Sequence, residues 1–265
     1  MTTAPDPGSS AAASRPDDAV LLPEDAVLRT EQVEFARWLR TSLPRFLMEY
    51  EFAVKEVLTK VTILREEFLH LHRYNPIEHV TSRVKRPDHL IEKIVRKQVR
   101  GGLDAIREHI TDIAGIRITC SFIADTYRLL DALTTQNDIR VLVIKDYIKN
   151  PKPNGYRSLH AIIEIPVFLS TGPVNVPVEI QVRTVAMDFW ASLEHKIFYK
   201  YDGHVPSHVA DDLTHAAEAA WRLDSQMEDL HTEVRSHEDE DTTMELADTA
   251  LLRQFWDLSH PGGTP

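Results

Sequence analysis

Val178-Glu179-Ile180-Gln181-Val182-Arg183-Thr184 alternates apolar and polar residues, and the stretch that follows, Val185-Ala186-Met187-Asp188-Phe189-Trp190, abandons that alternation. Strand side chains point to opposite faces in turn, so Val178, Ile180 and Val182 share one face and Glu179, Gln181 and Arg183 the other. The spacing predicts a strand over 174–182 followed by a helix over 184–199. Upstream, residues 115–122, 139–148 and 158–166 are also β-branched and alternating, with a helical pattern at 125–133 between the first two. Further upstream, apolar residues recur at three- and four-residue steps over 31–72, which predicts two amphipathic helices broken near Pro44. Residues 82–100 begin as a basic extended segment and turn helical after Pro87, a good first helical residue. Downstream, 210–230 reads as one more helix, carrying Trp221. The order is helices, strands, helices. It predicts an α+β fold: a mixed β-sheet of at least four strands flanked by N- and C-terminal helices.

Three polar residues aligned on one sheet face ask for a reason. In the strand at 158–166, Ser158, His160 and Glu164 share a parity against Leu159, Ala161, Ile163 and Ile165; in that at 115–122, Arg117 and Thr119 oppose Ile116, Ile118 and Cys120. Asp112 lies an odd five residues before Arg117, so the two serve one site only if the chain turns or bulges near Ala114-Gly115. Asp112 and Glu179 are a carboxylate pair of the kind that holds Mg²⁺, whose remaining ligands are waters and substrate phosphate. Arginine and lysine from 82–100 would neutralise a polyphosphate, and transfer would then depend on positioning and electrostatics. A solvated polar face on an antiparallel sheet is the alternative these residues leave open.

The connection Lys149-Asn150-Pro151-Lys152-Pro153-Asn154-Gly155-Tyr156-Arg157 is shaped rather than slack. Its prolines fix φ and remove donors, and Asn154-Gly155 tolerates positive φ. Tyr156 is suited to stack on a base, through its ring rather than its hydroxyl, and Lys149, Lys152 and Arg157 to meet phosphate oxygens.

Composition narrows the class. With 265 residues, 43 % hydrophobic and 27 % charged, the chain is expected to be a soluble globular protein, and no apolar run approaches the ~20 residues of a membrane span. The single Cys120, set in an apolar run, excludes an intrachain disulfide and reads as core rather than nucleophile. Without a signal-peptide pattern the expected location is cytoplasmic. The net charge of −11 is uneven: ten acidic residues against one basic fall within 223–248, whereas 83–100 holds seven basic residues against two acidic. A local basic cluster in an acidic protein suits a focused anion site better than a broad nucleic-acid surface, so no stable nucleic-acid partner is expected.

Taken in order, Arg83-Val84-Lys85 with Lys93, Asp112-Ile113-Ala114-Gly115-Ile116-Arg117, the Asn154-to-His160 loop, Val178-to-Thr184, and Trp190-Ala191-Ser192-Leu193-Glu194-His195-Lys196 resemble the (p)ppGpp synthetases of the RelA/SpoT superfamily, most of all the single-domain small alarmone synthetases. The resemblance implies a nucleotidyltransferase-like sheet that moves the β,γ-pyrophosphate of ATP to the 3′-hydroxyl of GDP or GTP, releasing AMP. It implies Asp112 and Glu179 as Mg²⁺ carboxylates, with Glu179 also orienting or deprotonating the 3′-hydroxyl. Arg83 and Arg117 would bracket adenine, and Lys85 and Lys93 would contact ATP phosphates. Tyr156 would stack on guanine, with Lys152, His160 and Gln181 on the acceptor nucleotide; Asp188 falls near where the family reads the guanine edge. A homo-oligomer, a tetramer by resemblance, is expected, with Trp38 and Trp221 as exposed candidates for contact. The domain reading is a disordered tail at 1–25, a synthetase domain at 26–230, and an acidic, partly helical tail at 231–265. An RNA-binding module and a catalytically silent nucleotide sensor are the competing functions.

Overall fold

The structure, a computed structural model, describes residues 24–72, 74–200 and 206–245. Of the tail expected at 1–25, residues 1–23 lie outside the described residues while Glu24 and Asp25 are helical, and of the acidic tail expected at 231–265, residues 246–265 lie outside them. Contacts divide the chain into two compact units, Met1–Pro44 and Arg45–Pro265; in the first, the described residues are helical from Glu24 onward. The second holds the sheet and the candidate site.

The break expected near Pro44 does not occur. Helix α1 (Glu24–His72) carries Pro44 within it. A proline removes one intrahelical hydrogen bond at a cost of about 3 kcal/mol, and the apolar stripe that follows offsets it. Phe46, Tyr50, Val57, Val61, Leu64 and Phe68, at helical spacing, are all buried. Arg107 ties this helix to α3 (Leu103–His109), donating to Glu49 and lying over the Phe46 and Tyr50 rings.

The sheet has five strands in the order β1 (Ile77–Val84), β2 (Ala114–Cys120), β5 (Gly172–Thr184), β4 (Leu159–Leu169), β3 (Arg140–Asp146). Only β2 and β5 run parallel; the other neighbours are antiparallel, so the sheet is mixed. One face carries Ile116, Ile118, Ile180, Val182, Ala161 and Ile163, all buried, and α4 (Ile123–Thr134) packs on these strands with Leu129 and Leu133. Cys120 is buried and free. Helix α2 (Pro87–Lys97) follows β1, starting at Pro87 as expected. Helices α5 (Val185–Lys200) and α6 (Ser207–Glu245) pack on one another after β5. Cross-strand register decides what gathers on the opposite face. Arg117, Gln181 and His160 are neighbours across β2, β5 and β4, and Arg83, Gly115 and Glu179 are neighbours across β1, β2 and β5.

Candidate active site

Arg83, Gly115, Arg117, Glu179 and Gln181 from those two rows line a cavity of about 250 Å³, together with Thr81 and Ser82 of β1. Arg83 lies across Gly115, whose missing side chain leaves room for it: a Cβ there would stand 3.8 Å from the Arg83 Nε. Two arginines and one carboxylate thus meet on a single polar face, as strand parity requires.

Asp112 enters from the turn before β2, so the odd spacing to Arg117 is resolved by a change of backbone direction rather than by a bulge. Its Oδ2 accepts hydrogen bonds from Lys85 Nζ (3.1 Å) and Lys93 Nζ. Burial pushes the Asp112 carboxyl upward, but the two lysines outweigh it and hold the group below the usual carboxylate range. Its Oδ1 is buried without a partner. Both lysines expected on ATP phosphates therefore converge on the expected metal carboxylate.

Glu179 is held from both sides. His160 Nδ1 lies 3.4 Å from its Oε1, and Gln181 Nε2 donates to its Oε2 at 3.1 Å. Burial raises this carboxyl and the nearby Asp112 charge adds to that, yet the His160 and Gln181 contacts prevail and lower it. An oxygen left bare on Asp112 beside an ionised Glu179 fits a small divalent cation that takes one or two carboxylates. Among the described residues no cluster of three or more His, Cys, Asp or Glu exists that would hold a metal on protein ligands alone.

The loop between β3 and β4 is tied into a fixed shape. Gly155 N donates to Lys152 O (2.8 Å), Lys152 N to Tyr156 O (3.1 Å), and Tyr156 N to Asn154 Oδ1 (3.2 Å), while Asn154 Nδ2 reaches Glu194 on α5 (3.0 Å). Gly155 has φ +84°, as the Asn-Gly pair predicts. Lys152 lies over the Tyr156 ring, 4.6 Å from its centroid, and over Tyr147. Two cations expected at the site are elsewhere. Arg157 turns inward, bonding Ile148 O and lying 4.1 Å over Trp221, and Lys149 lies over Tyr127. Trp221 is consequently half-buried rather than exposed.

The Tyr156 hydroxyl, expected to matter little, is bonded twice: 2.7 Å from His160 Nε2 and 2.6 Å from Arg183 Nη2, which donates to it. Arg183 also donates to Gln181 Oε1 (3.0 Å) and Asp188 Oδ1 (3.1 Å). Asp188 in turn lies 3.4 Å from Arg117 Nη1. Burial, and next the neighbouring Arg183 charge, lower the Arg117 pKa. Sequence parity put Arg183 on this face without assigning it a part; the signal was present in the strand alternation. Tyr147, edge-on to both Tyr156 and His160, had no such signal.

Residues 82–204 match the family model described as a region found in RelA / SpoT proteins. The chain is 49 % identical over 188 residues to the GTP pyrophosphokinase YwaC of Bacillus subtilis, covering 71 % of this chain and 90 % of the relative. It belongs to the RelA/SpoT family. The small alarmone synthetase 2 of B. subtilis has a crystal structure that superposes with a TM-score of 0.66 at 47 % identity, covering 72 % of this chain and 98 % of that one. That of B. subtilis small alarmone synthetase 1 bound to its product pppGpp gives a TM-score of 0.66 at 40 % identity, over 72 % and 97 % of the two chains. The α+β fold with a mixed five-stranded sheet is the one these structures share.

Proposed function

We propose that this site carries out the GTP pyrophosphokinase reaction, moving the β,γ-pyrophosphate of ATP to the 3′-hydroxyl of GDP or GTP. The single observation that carries it within the molecule is the cavity where Arg83 and Arg117 face Glu179 and Gln181, one strand from the Tyr156–His160 pair. Similarity to GTP pyrophosphokinases over most of the chain supports the same reading. In the reaction the 3′-oxygen bonds to the β-phosphorus, the bond from that phosphorus to the α,β-bridging oxygen breaks, and AMP departs with that oxygen.

Arg83 and Arg117 bracket adenine on this reading, and their planar guanidinium groups suit that task. Tyr156 stacks on guanine, and Lys152, exposed above its ring, yields its place to the base. Gln181, His160 and Asp188 complete the acceptor side. Lys85 and Lys93 exchange Asp112 for phosphate when ATP binds. Asp112 and Glu179 would hold Mg²⁺, which when bound neutralises charge on the polyphosphate. Glu179, ionised at neutral pH, accepts the hydrogen bond of the 3′-hydroxyl and orients it. As a depressed carboxylate it is a weak base, so the proton passes late, as the bond to phosphorus forms.

Self-association and a cytoplasmic location belong to the same reading. An apolar groove of about 760 Å³ between α5 and α6, with Val185, Phe189, Leu193, Leu223 and Met227 exposed along it, supports a homo-oligomer, a tetramer by resemblance. No described helix is long and apolar enough to cross a membrane. The deciding assay is ATP with GDP and Mg²⁺, resolved by anion exchange. AMP and ppGpp in equal amounts are expected; ADP with phosphate, or no product with GDP, GTP or GMP, overturns the reading.

A further inference from the structure

The five side chains at the centre of the site form a closed ring of contacts: Arg183 to Tyr156, Tyr156 to His160, His160 to Glu179, Glu179 to Gln181, and Gln181 back to Arg183. Arginine can only donate and an ionised glutamate can only accept, whereas tyrosine, glutamine and neutral histidine do both. That asymmetry fixes every member between the two ends. Because Arg183 donates to the Tyr156 hydroxyl, the one tyrosine proton is free to point at His160 Nε2. Nε2 then accepts, which leaves the imidazole proton on Nδ1, facing Glu179 Oε1 at 3.4 Å. On the other arm, Arg183 donates to Gln181 Oε1, so the amide NH₂ is turned to Glu179 Oε2.

We propose that Arg183 is the positioning residue of this site: it sets the His160 tautomer and the Gln181 amide so that both oxygens of Glu179 receive a donor, and it locks the plane of the Tyr156 ring. The proposal rests on the transfer reaction argued above. Three observations carry it. Arg183 is only 5 % exposed, so its geometry is set by packing. Its guanidinium lies 5.1 Å from the Tyr156 ring centroid while bonding the hydroxyl, which holds both tilt and rotation of the ring. Its other terminal nitrogen holds Asp188, the carboxylate that also faces Arg117, so the grip extends to the adenine side. Lysine offers one compact ammonium and cannot span three acceptors held by a planar fork.

The test reads the ring without nucleotide. In the ¹⁵N-labelled full chain, about two units above the ordinary imidazole pKa of about 6.5, the His160 nitrogens are assigned by comparison with His160→Gln. A protonated Nδ1 and an unprotonated Nε2 are expected in the wild type. In Arg183→Met, and in Tyr156→Phe, which cuts the same arm at the next bond, a mixture of tautomers is expected. Should Arg183→Met fail to fold, Tyr156→Phe reads the same arm. Kinetically, Arg183→Lys should lower kcat/KM for the acceptor by at least about tenfold, the loss of one hydrogen bond to a charged group, with a smaller change in the KM for ATP. A wild-type imidazole protonated on Nε2, or a tautomer unchanged in both variants, overturns the proposal. So does an Arg183→Lys enzyme with both KM values and kcat intact. A wild type that shows the expected tautomer but makes no AMP would instead overturn the transfer reading alone.

Discussion

Glu179 and Asp112 are both carboxylates held below their ordinary pKa, but by opposite kinds of partner, and their variants should differ for that reason. Glu179 is lowered by His160 and Gln181, which also aim it; Glu179→Gln keeps the shape and loses the charge. Turnover should fall by well over tenfold, more than about 1.4 kcal/mol, with GDP binding by calorimetry nearly unchanged. A variant that keeps a tenth of wild-type kcat would remove Glu179 from the chemistry. Asp112 is lowered by Lys93 and Lys85, each less than a fifth exposed at its side chain. Asp112→Asn strands two ammonium groups without their anion, so ATP should bind at least as tightly as in the wild type while turnover is lost. Weaker ATP binding in Asp112→Asn would show that the lysines are not phosphate ligands. The pH sign follows from the same depression. The stability these carboxylates contribute is present above the ordinary carboxylate pKa of about 4 and is lost as pH falls through their lower folded values. The melting temperature should therefore drop on acidification below about pH 4, and by less in Asp112→Asn. Most of these residues were legible from strand parity and motif order. The Tyr156 hydroxyl was not, because its two partners, His160 and Arg183, come together only through the pairing of β4 with β5.

At the scale of elements, helix α6 is the part of the fold that holds the Tyr156 loop from behind, and two contacts test it. A Cβ on Gly155 would lie 2.5 Å from the Ala217 Cβ, at a φ of +84° that L side chains rarely adopt. Gly155→Ala should thus push α6 off the loop, lowering the melting temperature and raising the acceptor KM together; Gly155→Ala with an unaltered acceptor KM would show that loop position does not govern that side of the site. Asp224 of α6 accepts from Thr184 Oγ1, the residue that ends β5 and caps α5 through Met187 N. Burial pushes its carboxyl up to about 6, against the Thr184 hydrogen bond and with help from Glu228. A raised acid stabilises the fold fully below its unfolded pKa and loses that contribution as pH rises through the folded value. Asp224→Asn should accordingly raise the melting temperature at pH 8, with the gain shrinking toward pH 4; a pH-independent difference would contradict it. The strands at 115–122, 158–166 and 174–182 were legible because one face of each is apolar, and that at 139–148 from its apolar run at 141–144, which lies exposed on both faces. Of strand β1 only the part from Ser82 is legible as extended, since Ile77 is its one buried residue and, apart from Val80 and Val84, the rest is polar and exposed, as on an edge strand. Helix α3 has seven residues, too few for a period to show.

Across the whole molecule the net charge of −11 conceals a cationic site, and the apolar surface is unevenly spread. The sequence pointed to Trp221 as a contact residue, but Arg157 covers it, whereas Val185, Phe189, Leu193, Leu223 and Met227 stand exposed along one groove between α5 and α6. That groove could not be read from either helix separately: Val185, Phe189 and Leu193 share a face with Leu223 and Met227 only once the helices pack. A patch of this kind on a chain this acidic is hard to leave in water, because apolar area contributes roughly 25 cal/mol per Å² on burial. Burial against another copy would offset the repulsion between two negatively charged protomers. Phe189 is 66 % exposed, so a substitution there should disturb the fold little. Phe189→Glu introduces a charge into the groove and should shift the sedimentation coefficient to a smaller species, with an unchanged far-ultraviolet circular dichroism spectrum. Adding salt to the wild type should favour the larger species, since screening weakens repulsion without weakening apolar burial. A wild type and a Phe189→Glu variant that sediment alike at every protein concentration and ionic strength would show that copies of this chain do not meet at the groove.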